Sequence, residues 1–180
     1  SPHFSTIDDV FEKTKYMAGI AGARCTVEMK KVPRFLFQRP SDTHVFGFTY
    51  DEQRRIENFE RNNFELSTAW VLRDAGVTKQ DCYARLQSAG IELPAMYRLG
   101  YHNNNCLGCV KATSPAYWAK VRTDFPEVFA RRAEQSRELG VRLTRVKGKR
   151  IFLDELPAGK FGRYAQENIS CGPDCKPVSP

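Results

Sequence analysis

The chain lacks everything that would carry it into a membrane. No stretch approaches the roughly 18 consecutive apolar residues a spanning helix needs, and no short apolar run follows a basic cluster near the first residue. These absences predict a cytoplasmic protein with no membrane partner. Acidic residues are the minority, with 21 Asp and Glu against 28 Lys and Arg, a net charge of +7. That balance favours polyanionic ligands such as nucleotides, nucleic acid or sulfated and phosphorylated small molecules. Internal repeats and low-complexity segments are also missing, which excludes repeat architectures and linker-like stretches.

What is present suffices for a core. Apolar residues make up 41% and aromatic residues 12% of the chain, which rules out wholesale disorder. A length of 180 residues fits a single domain over 1–180, in which 158–180 reads as an irregular, cysteine-bearing tail.

Periodicity predicts a helix over 7–17, where Ile7, Val10 and Phe11 share a face and Ser5 or Thr6 caps it. Gly19 and Gly22 break that pattern. A second helix starts at Cys25-Thr26 and is interrupted or restarted at Pro33. The aromatic, β-branched run over 44–49 predicts a buried strand, followed by an exposed helix over 51–61. Thr78 caps a helix that Gly90 ends, and 97–109 is a glycine- and asparagine-bearing loop. Pro115 and Pro126 each start a helix, running to about Thr123 and Leu139. Residues 141–146 and 150–153 alternate around Lys147-Gly148-Lys149, a hairpin signal. Strand and hairpin together predict a layered α/β unit, not a helical bundle.

Six cysteines carry the chemistry: Cys25, Cys82, Cys106, Cys109, Cys171 and Cys175. Cys106-Leu-Gly-Cys109 and Cys171-Gly-Pro-Asp-Cys175 form two tight pairs. In a chain without export signals such pairs point to metal or redox chemistry rather than structural disulfides. Four thiolates from two loops make a closed site for zinc or an iron–sulfur cluster. A dithiol or disulfide, or no special role for the tail pair, are the alternatives. Cys82 lies within a helical pattern beside Tyr83 and reads as a packing residue. Cys25 opens a helix, where the helix dipole and free amides lower a thiol's pKa, and Lys30 and Lys31 add positive charge.

Several of these strings together resemble a known family. Arg24-Cys25-Thr26-Val-Glu-Met29-Lys30-Lys31-Val-Pro33 is similar to the Cys-Thr-x-x-Met-Lys-x-x-Pro signature of phosphoadenosine-phosphosulfate (PAPS) reductase-like proteins. Gly47 to Arg55, with Asp51 and Glu52, resembles that family's Gly-x-x-x-Asp-Glu-x-x-Arg segment. Gly100-Tyr101 through Cys106 and Cys109 resembles its Gly-Tyr…Cys-x-x-Cys loop, and Cys171 to Cys175 the terminal pair of bacterial and phage members. The resemblance implies a partial doubly wound α/β sheet of the adenine-nucleotide α-hydrolase type, with helical and β-hairpin additions after it. It implies an adenylated or sulfated nucleotide as substrate, bound by Lys30, Arg54 and Arg55, with Asp51 and Glu52 positioning those arginines or capping the next helix. It implies a 4Fe–4S cluster or zinc on Cys106, Cys109, Cys171 and Cys175, with Cys25 as an alternative ligand and Cys171 as a candidate catalytic thiol. The activity it implies is sulfur transfer or reduction.

The family's Ser-Gly-Gly-x-Asp-Ser phosphate loop has no counterpart in this sequence. The resemblance therefore covers the family's C-terminal two-thirds, and a second chain or further segment is expected to supply the loop. A different reading is a metal-stabilised basic module that binds nucleic acid or a partner protein. Its phosphate-binding face would be Arg131, Arg132, Arg142, Arg145, Lys147, Lys149 and Arg150.

Overall fold

The structure, a computed structural model, describes residues 1–159 and Phe161; Cys171 and Cys175 lie outside the described residues. In chain order the helices and strands begin with α1 (Ile7–Thr14), a small hairpin of β1 (Ala18–Gly19) and β2 (Gly22–Ala23), and α2 (Arg24–Thr26). A π-helical turn (Val27–Lys31) then leads into α3 (Val32–Phe37). Next come β3 (Thr43–Val45), α4 (Gln53–Asn62), β4 (Ser67–Ala69), α5 (Val71–Asp74), α6 (Lys79–Ser88) and α7 (Ala95–Arg98). The last are α8 (Pro115–Asp124), α9 (Pro126–Glu138), and a hairpin of β5 (Thr144–Val146) and β6 (Lys149–Ile151). Helices and small sheets are mixed, an α/β composition in the general sense.

The described chain falls into two compact units, one formed by Ser1–Phe37 with the residues from Asn105 onward, the other by Gln38–Asn104. In the first unit α1 begins where Thr6 accepts the Asp9 amide at 3.0 Å, and it ends at Lys15 in the left-handed region. Helices α8 and α9 pack on each other. Val10, Phe11, Met17, Trp118, Val121, Leu143 and Leu153 form its core, each at most 2% exposed. Pro33 does not interrupt its helix. The π-turn shifts the backbone register, with Val32 donating to the Val27 carbonyl, and Pro33 follows at that shift, where its missing N–H breaks no continuing ladder.

The terminal hairpin pairs Arg145 with Arg150 and Val146 with Lys149. Its two-residue loop is Lys147-Gly148, both at positive φ (48° and 79°), so Lys149 belongs to the strand. A hydrogen bond from the Arg145 amide and another from the Thr144 hydroxyl, 3.3 and 3.1 Å, dock it on the Thr113 carbonyl.

The second unit is organised by β3–α4–β4. The strands are parallel, Thr43 to Ser67 and Val45 to Ala69, so a crossover is required, and α4 supplies it. The ordered strand stops at Val45, but the Phe46 amide still bonds the Ala69 carbonyl at 3.0 Å. Thr49 and Glu52 then form a capping box at the 3₁₀ turn that opens α4. Thr78 and Asp81 form another at α6. Between these, Phe46, Phe48, Phe59 and Trp70 cluster at centroid distances of 4.6 to 6.4 Å, and the Trp70 indole donates to Glu60 at 2.7 Å.

Candidate functional site

The site grows from the loop that carries Cys106 and Cys109, in the first unit. A short loop keeps a defined shape only if its backbone groups find partners. Here the Cys109 amide donates to the Tyr117 hydroxyl at 2.9 Å, the Ala112 amide to the Cys109 carbonyl at 3.0 Å, and Arg132 Nε to the Gly108 carbonyl at 3.2 Å. Gly108 is required twice over. Its φ is +67°, and a Cβ there would lie 2.8 Å from Val128 and 3.2 Å from Arg132.

Arg132 is the hub of this arrangement and is only 4% exposed. Besides the loop carbonyl it bonds Asp8 of α1 and Gln135, and its guanidinium lies 5.3 Å from the Phe11 ring centroid. One planar fork thus ties α1, α9 and the cysteine loop together. Burial alone would push the Asp8 carboxyl up, but the hydrogen bond and charge of Arg132, with Arg131 beyond, hold it below the ordinary carboxylate range.

The two thiols differ sharply. Cys109 is buried and Cys106 exposed. The hydrogen bond from Cys106 lowers Cys109 to about 6, against the effect of burial and with further help from the Lys111 and Ala112 amides and the Lys111 charge. The same bond, then burial and the negative charge of Cys109, push Cys106 well above its ordinary value. The two thiols are thus shifted in opposite directions, Cys109 down and Cys106 up, by the hydrogen bond they share.

Cys25 is within electrostatic reach of both, and burial followed by the Cys109 charge pushes its thiol up rather than down. The sequence expectation of an acidified thiol at a helix start fails here, because burial outweighs the lowering by the Thr26 and Cys25 amides. Among the described residues no three His, Cys, Asp or Glu side chains are grouped so as to hold a metal ion. Of the four expected metal ligands, Cys106 and Cys109 lie together on this loop, and Cys171 and Cys175 lie outside the described residues. Cys82 is half-buried in α6.

The anticipated anion-binding residues fall in different units. Lys30 is exposed on the π-turn of the first; Arg54 and Arg55 are exposed at the start of α4 in the second. Arg55 pairs with Glu52 and lies 4.4 Å from the Phe48 ring centroid, whereas Arg54 makes no ion pair or hydrogen bond among the described residues. Glu52 both caps α4 and holds Arg55. Asp51 forms no ion pair with either arginine among the described residues; hydrogen bonds from the Thr49 hydroxyl, then from the Asp51 and Lys79 amides, keep its carboxyl low.

Of the cations assigned by sequence to a nucleic-acid face, Arg132 is buried in the hub just described, and Arg131 sits 3.4 Å from Asp8. The roles of Asp8 and Arg132 were not anticipated. The signal was present: Arg132 lies at i+3 from Phe129 and i−4 from Ser136, on the buried stripe of α9. No protein-family model, no curated protein and no solved structure matches the chain.

Proposed function

We propose that the chain works in nucleotide-dependent sulfur chemistry, as a PAPS reductase-like protein of the cytoplasm, with Cys106, Cys109, Cys171 and Cys175 forming one thiolate site. The observation that carries this reading is the thiol pair itself. A buried Cys109 thiolate supported by two backbone amides, next to a thiol that shares its proton, is a donor set a cation can take over by displacing that proton. Zinc would close the loop structurally, whereas a 4Fe–4S cluster would supply electron transfer. Cys25 stands by as a neighbour or alternative ligand, and Cys171 as the candidate catalytic thiol of the tail.

The nucleotide side of the proposal rests on β3–α4–β4. A two-stranded parallel pair rarely stands alone, because parallel sheets are covered on both faces, yet Val45 of β3 is 63% exposed. We propose that this pair belongs to a larger doubly wound sheet, completed by strands of a phosphate-loop segment. Arg54 and Arg55, just beyond the carboxyl end of β3, are then placed to meet an adenylated or sulfated nucleotide in the crevice such sheets form.

Anaerobic purification with metal analysis and an absorbance spectrum tests the thiolate site. Iron with broad absorbance near 400 nm, or stoichiometric zinc without colour, is expected. Cys109→Ser should abolish the bound metal, while Cys82→Ser should retain it. Metal-free protein with all cysteines reduced, or a Cys109→Ser variant that binds metal normally, would sink the shared site.

A further inference from the structure

Beside the cysteine loop, wholly within the first unit, lies a pocket of about 210 Å³. One wall is the β1–β2 hairpin, contributed by Ala18, Gly19, Gly22 and Ala23; the other is Val110, Lys111, Thr113 and the chain entering β5. Its charged lining is Lys111, Arg142 and Arg150, all exposed, and no acidic residue lines it.

Several cations of this unit have a carboxylate partner. Arg24 pairs with Glu28, Lys120 with Asp124, Arg131 and Arg132 with Asp8, and Arg137 with Asp154 and Glu155. Lys111, Arg142 and Arg150 have no carboxylate partner among the described residues. Arg150 Nη1 donates to the Arg142 backbone carbonyl at 3.1 Å, and the Arg142 guanidinium lies 4.8 Å from the Phe152 ring centroid. Like charges fixed around one concavity repel unless an anion lies between them. Two guanidinium forks and an ammonium suit a tetrahedral oxyanion, which accepts several charge-assisted hydrogen bonds at once.

From this arrangement we infer that the pocket binds the oxyanion group of a small phosphorylated or sulfated molecule, gripped by Lys111, Arg142 and Arg150. Its volume falls below the roughly 300–1,000 Å³ of pockets that enclose a whole drug-sized ligand, so it takes the anionic end and leaves the remainder of the ligand outside. Location gives the grip a purpose. Lys111 is two residues after Cys109 and Ala23 two before Cys25, so a bound oxyanion lies against both segments that carry the thiols. The inference goes beyond the thiolate site and does not need it, since none of the pocket's lining residues is a cysteine.

Calorimetric titration of the intact chain with inorganic pyrophosphate, repeated with sulfate, tests this. One saturable site is expected, with Lys111→Gln and Arg150→Gln each weakening pyrophosphate about tenfold, the loss of one charged hydrogen bond. Lys147→Gln/Lys149→Gln removes two hairpin cations that do not line the pocket and should leave affinity within about twofold, by the same scale. Unchanged melting temperatures check that every variant is folded. No saturable binding would overturn the pocket. So would an equal loss in the two sets of variants with a single-stranded oligonucleotide competing for the same cations, which would make the hairpin a general polyanion surface. Metal content read on the same preparations separates the two proposals, because absent metal removes the four-cysteine site and leaves the pocket intact.

Discussion

In the first unit an irregular loop is held by a buried charge; in the second, an irregular stretch is held by rings. Residues 106–109 hang on Arg132, which must satisfy its own desolvation through Asp8, Gln135 and the Gly108 carbonyl. Residues 46–48, past the end of β3, lean on Phe59 and Trp70. The difference lies in how each arrangement fails. A buried ion depends on all its partners at once, so its loss leaves orphaned polar groups behind. An aromatic cluster is non-directional, and its loss leaves a cavity whose cost follows the volume removed.

Trp70→Ala should have the largest effect. The indole is 2% exposed, stacks on Phe46 at 5.1 Å and donates to Glu60. Its removal should cost about 4 kcal/mol, read by urea denaturation, with faster amide exchange over 43–78. Arg132→Met comes next at about 3 kcal/mol, because the Asp8 carboxylate left behind still reaches some water. Exchange should then quicken at 108–112. Arg132→Lys should recover only part of the loss, since an ammonium cannot span Asp8, Gln135 and a carbonyl in one plane. If Arg132→Met leaves those amides protected, the loop does not hang on the buried charge and the contrast between the units collapses.

The same contrast explains what was readable in advance. Elements with a local code were legible: α1 from Thr6, α6 from Thr78, α8 and α9 from their initial prolines, and the last hairpin from Lys147-Gly148. Strand β4 was not, because Ser67-Thr68-Ala69 has one β-branched residue and becomes a strand only by pairing with β3. The predicted strand over 44–49 shortened to Thr43–Val45, since Phe46 and Phe48 turn to packing on Trp70 instead of extending the ladder. In the site, the Cys-x-x-Cys spacing was visible but the division of labour within it was not. Which thiol keeps the proton depends on Lys111, Ala112 and burial, none of which a spacing encodes.

That division gives a pH signature confined to the first unit. In metal-free, reduced protein Cys109 titrates near 6, below its ordinary 9.0, so its contribution is present at high pH and lost as pH falls through 6. Cys106 is shifted the other way, so its contribution is present below 9.0 and lost as pH rises. Between these limits the folded pair binds one proton where the unfolded chain binds two, and stability should rise with pH. Above 9 the unfolded thiols lose both protons while Cys106 keeps its own, and stability should fall. Melting curves across this range, minus those of Cys106→Ala/Cys109→Ala, isolate the pair. A flat difference would mean that the thiols do not share a proton.

The smallest expected effect separates backbone strain from charge in the terminal hairpin. Lys147 occupies the left-handed region at φ 48°, next to Gly148 at 79°, because a two-residue loop must match the twist of β5 and β6. A lysine side chain gains nothing there: it is exposed, lies outside the pocket beside the cysteine loop, and carries the steric penalty that asparagine largely avoids. Lys147→Asn creates the Asn-Gly loop such hairpins favour and should stabilise the protein by about 0.5 kcal/mol. Urea midpoints would show the gain as a shift without a change in slope. Lys147→Gln removes the same charge but keeps a side chain ill suited to positive φ, so it should give no gain. Equal stabilisation by the two substitutions would assign the effect to relief of charge repulsion with Lys149 and the neighbouring arginines instead of to the turn.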